Sequence, residues 1–271
     1  MSNTNYSTPI SNKNHYAESF SKHVNIMMIL TKIAQEVLIS GKEMPIITLL
    51  TYKDNIISIT YNKTNENKNG IHHGEYLAFK SLPIEFVENH IADVTLYVNV
   101  EPCIMCESMI QQMGVKKVVF SCENDRFGAS LLPQRVKSKD TLQLIPYIFR
   151  KEAIITLRQF YLQENKNAPK KRRKEGRALD LETFPGLKWS SYYSTFNTFY
   201  KTTFDTKTIS VEEAKKVYEE NLDLEQLNMD LIKLKDNKDA EITETQIVLE
   251  SVESQVKEFW NNWKETKKRK N

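Results

Sequence analysis

Two short segments hold the residues best suited to chemistry: His73-Gly74-Glu75 and Pro102-Cys103-Ile104-Met105-Cys106. One imidazole and two thiolates supply three of the four ligands that tetrahedral zinc takes, and a catalytic zinc keeps the fourth position for water. Cys103 and Cys106 are three residues apart, so on a helix both sulfurs face the same way and reach one ion. A helix N-terminus carries about half a positive charge and lowers the pKa of a thiol placed there. Zinc brings the pKa of its bound water to about 7, from about 15.7 in bulk. Glu75 follows the histidine by two positions, near enough to take that proton without ligating the metal. It would then return the proton to a ring nitrogen and to a leaving amine. The implied reaction is hydrolytic deamination of an aminated heterocycle, with release of ammonia.

Each half of this pattern alone is weak. A C-x-x-C is equally a structural zinc half-site or a redox pair, and an isolated H-x-E is more often surface charge. A closed structural site would need a fourth protein ligand. Cys122 is the only other cysteine, and it follows an apolar strand as a buried thiol would. Together, H-x-E followed by P-C-x-x-C is the signature of zinc nucleobase deaminases, in which the glutamate shuttles protons.

The surrounding elements must bring these segments together. Val24, Met27, Met28, Leu30, Ile33, Ala34, Val37 and Leu38 recur at helical spacing, with Gly41 as the stop. Ile46–Tyr52 and Ile56–Tyr61 read as a hairpin. A short helix over residues 73–82, a strand over 94–100, a helix over 103–113 ended by Gly114, and a strand over 115–121 follow. Residues 150–162 read as a further helix. This order predicts an α/β fold with helices on both faces of a central mixed sheet. The first two strands would be antiparallel and the last two parallel, joined by a right-handed crossover.

Composition sets the remaining bounds. The 271 residues are 40% hydrophobic, with net charge +3 and three cysteines, which argues against a disulfide-stapled secreted scaffold. No apolar run approaches the length of a membrane span, and the N-terminus lacks the apolar core of a signal peptide. No glycine-rich phosphate loop is present. Residues 1–21 read as a flexible tail, 22–165 as the main domain, 166–204 as a basic and aromatic extension and 205–271 as a charged, solvated helical region. Asn165–Arg177 holds seven basic residues, among them Lys170, Lys171, Arg172, Arg173 and Lys174. That run is suited to phosphate contact or to nuclear import, with a solvated linker as the plain alternative. Lys116 and Lys117 are lesser candidates for phosphate contact, and Arg126 and Phe127 are candidates for a substrate entrance. The aromatic patch from Trp189 to Phe204 reads as packing more readily than as base stacking.

Residues 23–190 resemble the catalytic subunit of the eukaryotic, fungal-type tRNA wobble adenosine deaminases. The matching segments are HHGEYLAF (72–79), DVTLYVNVEPCIMC (93–106), KKVVFSCENDRFGA (116–129) and RKEAIITLRQFYLQENKNAPK (150–170). The resemblance implies a three-layer α/β/α cytidine deaminase-like fold with a partly helical C-terminal extension. It implies Zn²⁺ held by His73, Cys103 and Cys106, Glu75 as the general acid/base, and Asn62 against the target nucleoside. It further implies conversion of adenosine 34 of tRNA to inosine, in a heterodimer with a homologous non-catalytic subunit, in the nucleus or cytoplasm. A deaminase of free bases, nucleosides or nucleotides is the alternative. Two departures stand out. The family has Ala where this chain has Gly74, a change expected to loosen the site slightly. The family's first strand reads P-V-G-A where this chain reads Pro45-Ile46-Ile47-Thr48.

Overall fold

The first pair of strands is dictated by a two-residue turn. Lys53 and Asp54 both take positive φ, 48° and 66°, the backbone of a tight turn whose twist matches the strands it joins. It connects β1 (Ile47–Tyr52) to β2 (Asn55–Tyr61). In this computed structural model, which describes residues 15–129, 142–169, 178–187, 216 and 242–269, the sheet has five strands in the order β2-β1-β3-β4-β5. β3 (Val94–Val100) pairs antiparallel with β1 and parallel with β4 (Lys117–Cys122). β5 (Gln143–Ile145) extends the parallel half. The antiparallel hairpin and the parallel β3–β4 pair follow the sequence reading; β5 is too short to have shown there.

The helices divide between the two faces. On α1 (His15–Ser40), His23 contacts Tyr97 through Nδ1 at 2.8 Å from the phenol oxygen. Thr48 lies beside Gly74, which opens α2 (Gly74–Lys80). Thr48 pairs with Val98, the neighbour of Tyr97, and successive strand residues point to opposite faces. So α1 and α2 cover opposite sides. α5 (Arg150–Leu162) packs with α1, and α4 (Ile104–Met113) with α2. α3 (Ile84–His90), unread in the sequence, intervenes before β3. Gly41 (φ 63°) and Gly114 (φ 89°) end α1 and α4 in the left-handed conformation, as expected of helix stops.

Two expectations are corrected at the ends of the chain. The expected tail over 1–21 is helical from His15, nine residues before Val24, the first member of the apolar stripe; residues 1–14 lie outside the described residues. The last helix, α6 (Ile242–Lys268), is not a solvated extension. Val248 and Val252 are buried in the main core, and Phe259, Trp260 and Trp263 pack around Phe86 of α3. A register shift in the hairpin leaves Ile57 as the extra residue on β2, and the Trp260 indole donates to the Ile57 carbonyl at 2.8 Å. The helix thus satisfies a backbone acceptor that the bulge leaves outside the ladder. Among the described residues, no helix is long and apolar enough to cross a membrane.

Candidate active site

The site lies where the parallel strands end. β3 leads through Glu101 and Pro102 to Cys103, the N-cap of α4, and Cys106 falls in that helix's first turn. His73 is the N-cap of α2. Two helix N-termini therefore converge, as the spacing predicted, although α3 as well as a strand separates them. The ligand atoms of His73, Cys103 and Cys106 lie within 4.8 Å of one another. His73 Nδ1 is 3.6 Å from each sulfur. Tetrahedral zinc with ordinary Zn–S and Zn–N bonds sets its nitrogen and sulfur ligands about 3.6 Å apart, so the donor set fits the metal. No fourth His, Cys, Asp or Glu joins this cluster among the described residues. Three protein ligands are the mark of a catalytic rather than a closed structural site.

The electrostatics suit metal binding. The neighbouring Cys106 thiol, followed by His73, brings Cys103 down to about 4. The Cys103 sulfur and burial push Cys106 up. His73 is raised, chiefly by its bond to Cys103. Glu75 is 3% exposed, and burial pushes its carboxyl up to about 6. Its Oε2 is buried with no hydrogen-bond partner, an arrangement that costs free energy unless a water or substrate completes it.

Asn62 is buried beside them. Its Oδ1 accepts from the Gly74 N–H at 2.8 Å, which satisfies one of the free donors of α2. That bond fixes the amide orientation and leaves the NH₂ to face the cavity, which Asn62 lines. The cavity has a volume of about 810 Å³. It runs from the metal-ligand cluster past Ile46 and Val100 to Ile154, Leu157 and Tyr161 on α5, more room than one base requires.

Several polar residues that arrange this cavity escaped the sequence reading. Glu43 is 1% exposed. Its carboxylate accepts from the Glu66 N–H, from Asn65 Nδ2 at 3.0 Å and from Thr64 Oγ1 at 3.4 Å, and so holds the loop that follows Asn62. Asn99 bridges β3 to the entry of β1, accepting from the Ile47 N–H and donating to the Pro45 carbonyl. Both partnerships span twenty or more residues, so no local pattern announces them.

Other candidates fall elsewhere. Arg126 and Phe127 line the cavity, with the guanidinium 5.6 Å from the exposed ring. Lys116 and Lys117 lie at the opposite end of β4 from the site, and Lys117 approaches His23 instead. Lys170, Lys171, Arg172, Arg173, Lys174 and the patch from Trp189 to Phe204 lie outside the described residues. Lys166 donates to the Ser40 carbonyl and caps α1. Cys122 is buried, with its thiol directed at the Asn99 carbonyl. Gly74 is not the slack position expected of it: a Cβ there would stand 2.7 Å from Thr48 Oγ1.

Residues 20–122 match the cytidine and deoxycytidylate deaminase zinc-binding region. The tRNA-specific adenosine deaminase 2 of Xenopus laevis is 33% identical over 152 residues, a match covering 51% of this chain and 86% of that protein. The chain belongs to the tRNA-specific adenosine deaminase family. The tRNA-specific adenosine deaminase subunit tad2 of Schizosaccharomyces pombe is 33% identical over 175 residues, 60% of this chain; that match spans 45% of the yeast protein's length. A solved chain from studies of A-to-I editing by tRNA:A34 deaminases aligns with TM-score 0.40 and 21% identity, covering 45% of this chain and 97% of that one. The zinc-binding region contains the whole His73, Cys103, Cys106 cluster, and zinc is the metal that its donor set fits.

Proposed function

We propose that this chain is the catalytic subunit of a tRNA-specific adenosine deaminase that converts the wobble adenosine, position 34, to inosine. The observation that carries this reading is the buried carboxylate of Glu75, with an unpartnered oxygen, beside a three-ligand cluster in a family named for tRNA-specific adenosine deamination. A closed structural site has no use for such a group.

When held by His73, Cys103 and Cys106, zinc supplies the acidity that makes a water nucleophilic near neutral pH. Glu75 takes the two protons of the attacking water in turn, passing the first to a ring nitrogen and the second to the departing amine. Burial raises its carboxyl in the metal-free protein to about 6, the direction that suits a group which both takes and returns a proton. Water adds at the amine-bearing carbon, the carbon–nitrogen bond breaks, and adenosine plus water becomes inosine plus ammonia. The NH₂ of Asn62 donates to an acceptor on the purine, with its orientation held by the Gly74 N–H.

The target base must leave its stack to enter the cavity. The exposed ring of Phe127, with Arg126 over it, supports stacking of an unpaired base at the mouth. Lys170, Lys171, Arg172, Arg173 and Lys174 are the candidates for gripping phosphate, with salt-dependent affinity as the consequence. A homologous non-catalytic subunit would complete the RNA surface. Exposed Ile104 and Met105 at the start of α4 support an apolar contact there.

Glu75→Gln tests the reading. It should keep zinc content and tRNA affinity while reducing inosine formation by about 10³-fold, within the range assigned to general acid–base catalysis. Equal rates in variant and wild type would remove Glu75 from the mechanism.

A further inference from the structure

Arg150 opens α5, and the side chain has no part in the chemistry above. It is 6% exposed, as is its partner Glu123. Nε donates to Glu123 Oε2 at 2.9 Å and Nη2 to Oε1 at 3.4 Å. Nη2 also donates to the Pro185 carbonyl at 2.8 Å. Glu123 and Pro185 both line the cavity, 62 residues apart in the chain.

Each partner belongs to a longer wall. Glu123 begins the loop through Phe127, every residue of which lines the cavity. That loop is tied to the zinc-ligand segment by the bond from the Ile104 N–H to the Phe127 carbonyl. Pro185 ends a strap laid along α5. Arg158 donates to the Asp180 and Thr183 carbonyls, at 2.7 Å each. The Phe184 ring lies near both Lys151 and Arg158. The strap is outside the matched zinc-binding region, which ends at residue 122.

The turn that delivers Arg150 is itself unusual. Tyr147 and Phe149 are fully buried with φ of 74° and 57°, a conformation that residues other than glycine rarely adopt. Such strain persists where the surroundings over-determine a geometry, often at functional sites. A buried ion pair is a weak source of stability, since apolar replacement of both partners is often neutral. What arginine adds is a planar fork that holds two acceptors in fixed relation.

We propose that Arg150 is a positioning residue that fixes the 123–127 loop and the 180–185 strap relative to one another, and thereby sets the shape of the cavity that receives the nucleotides flanking the target base. The proposal takes only the identity of its substrate from the deaminase reading.

The test uses the full chain with its second subunit, comparing wild type, Arg150→Lys, Arg150→Met and the Arg150→Met/Glu123→Met pair. The readouts are kcat and KM on tRNA, thermal midpoint, and amide hydrogen exchange without substrate. Arg150→Met should raise KM about tenfold with kcat within about twofold, and should speed exchange in both segments, as truncation of a buried charge pair loosens what it holds. Arg150→Lys should fall between, because a point charge cannot hold Glu123 and the Pro185 carbonyl together. The double variant should recover the thermal midpoint while exchange at 180–185 stays fast and KM stays high. A double variant with wild-type KM and wild-type exchange at 180–185 would overturn the proposal, as would a loss confined to kcat. If wild type itself makes no inosine, the deaminase reading fails, while exchange and midpoint still decide the clamp.

Discussion

Gly74 and Thr48 depart from the family pattern at two positions 26 residues apart, and the structure makes them one change. By the resemblance drawn from the sequence, the usual residue at position 74 is Ala and, through P-V-G-A, at position 48 also Ala. Here a Cβ on residue 74 would stand 2.7 Å from Thr48 Oγ1 and 3.3 Å from Thr48 Cβ, inside the roughly 3.5–4.0 Å of ordinary contact. Thr48 is fully buried in β1, so it has little room to withdraw. Gly74→Ala alone should therefore destabilise: overpacking costs about 1–3 kcal/mol, against at most about 1 kcal/mol gained in helix propensity. Thr48→Ala alone should be within about 1 kcal/mol of neutral, since it removes packed atoms but also a buried hydroxyl with no partner. In the Thr48→Ala background, Gly74→Ala should stabilise, giving a coupling energy of about 1–3 kcal/mol between the sites. Urea denaturation of the four proteins measures it, with zinc content as the control for site integrity. Additivity within about 0.5 kcal/mol would refute the steric argument and return Gly74 to the role of a loosened helix start.

Other consequences are checked more briefly. In metal-free protein, Cys103 should alkylate near pH 6 ahead of Cys106, because it is held near 4 while Cys106 is raised; mass spectrometry of the modified peptide reads the order. His23 is brought down to about 3 by burial and by Lys117 and Lys22, so the unfolded chain binds the extra proton first as pH falls below about 6.5. His23 should therefore cost stability progressively between about pH 6.5 and 3, and His23→Gln should flatten that part of a stability-against-pH curve. Trp260→Phe should keep most of the packing on Phe86 but lose the bond to the Ile57 carbonyl, for about 1 kcal/mol in urea denaturation. Glu43→Ala should leave the donors of Thr64, Asn65 and Glu66 unpaired and raise KM more than it lowers kcat, measured by steady-state kinetics on tRNA.

What was legible in the sequence was short-range. His73 and Glu75, like Cys103 and Cys106, carry their geometry in their spacing, because one helical turn fixes it. The hairpin and the parallel β3–β4 pair were legible for the same reason: apolar runs of strand length, joined by a two-residue turn or by a helix. What escaped depends on distant partners. Glu43, Asn99 and Arg150 are polar residues that look solvated until residues 20 to 55 positions away arrive to pair with them. The burial of α6 was hidden by composition: five acidic and four basic residues are interleaved with the stripe of Val248, Val252, Val256, Phe259, Trp260 and Trp263 that covers the core. The fit between Gly74 and Thr48 joins a helix start to a strand, so it is a fact of packing that neither segment displays alone.

The most direct measurement is inosine formation at position 34 of a transcribed tRNA bearing adenosine there. Zinc-loaded protein would be assayed with a homologous second subunit, with free adenosine, cytidine and guanine assayed alongside. The account predicts inosine at the wobble position and no turnover of the free compounds. Turnover of a free base or nucleoside with the tRNA left unchanged would contradict it, and would assign the same His73, Cys103, Cys106 and Glu75 machinery to a small-molecule substrate.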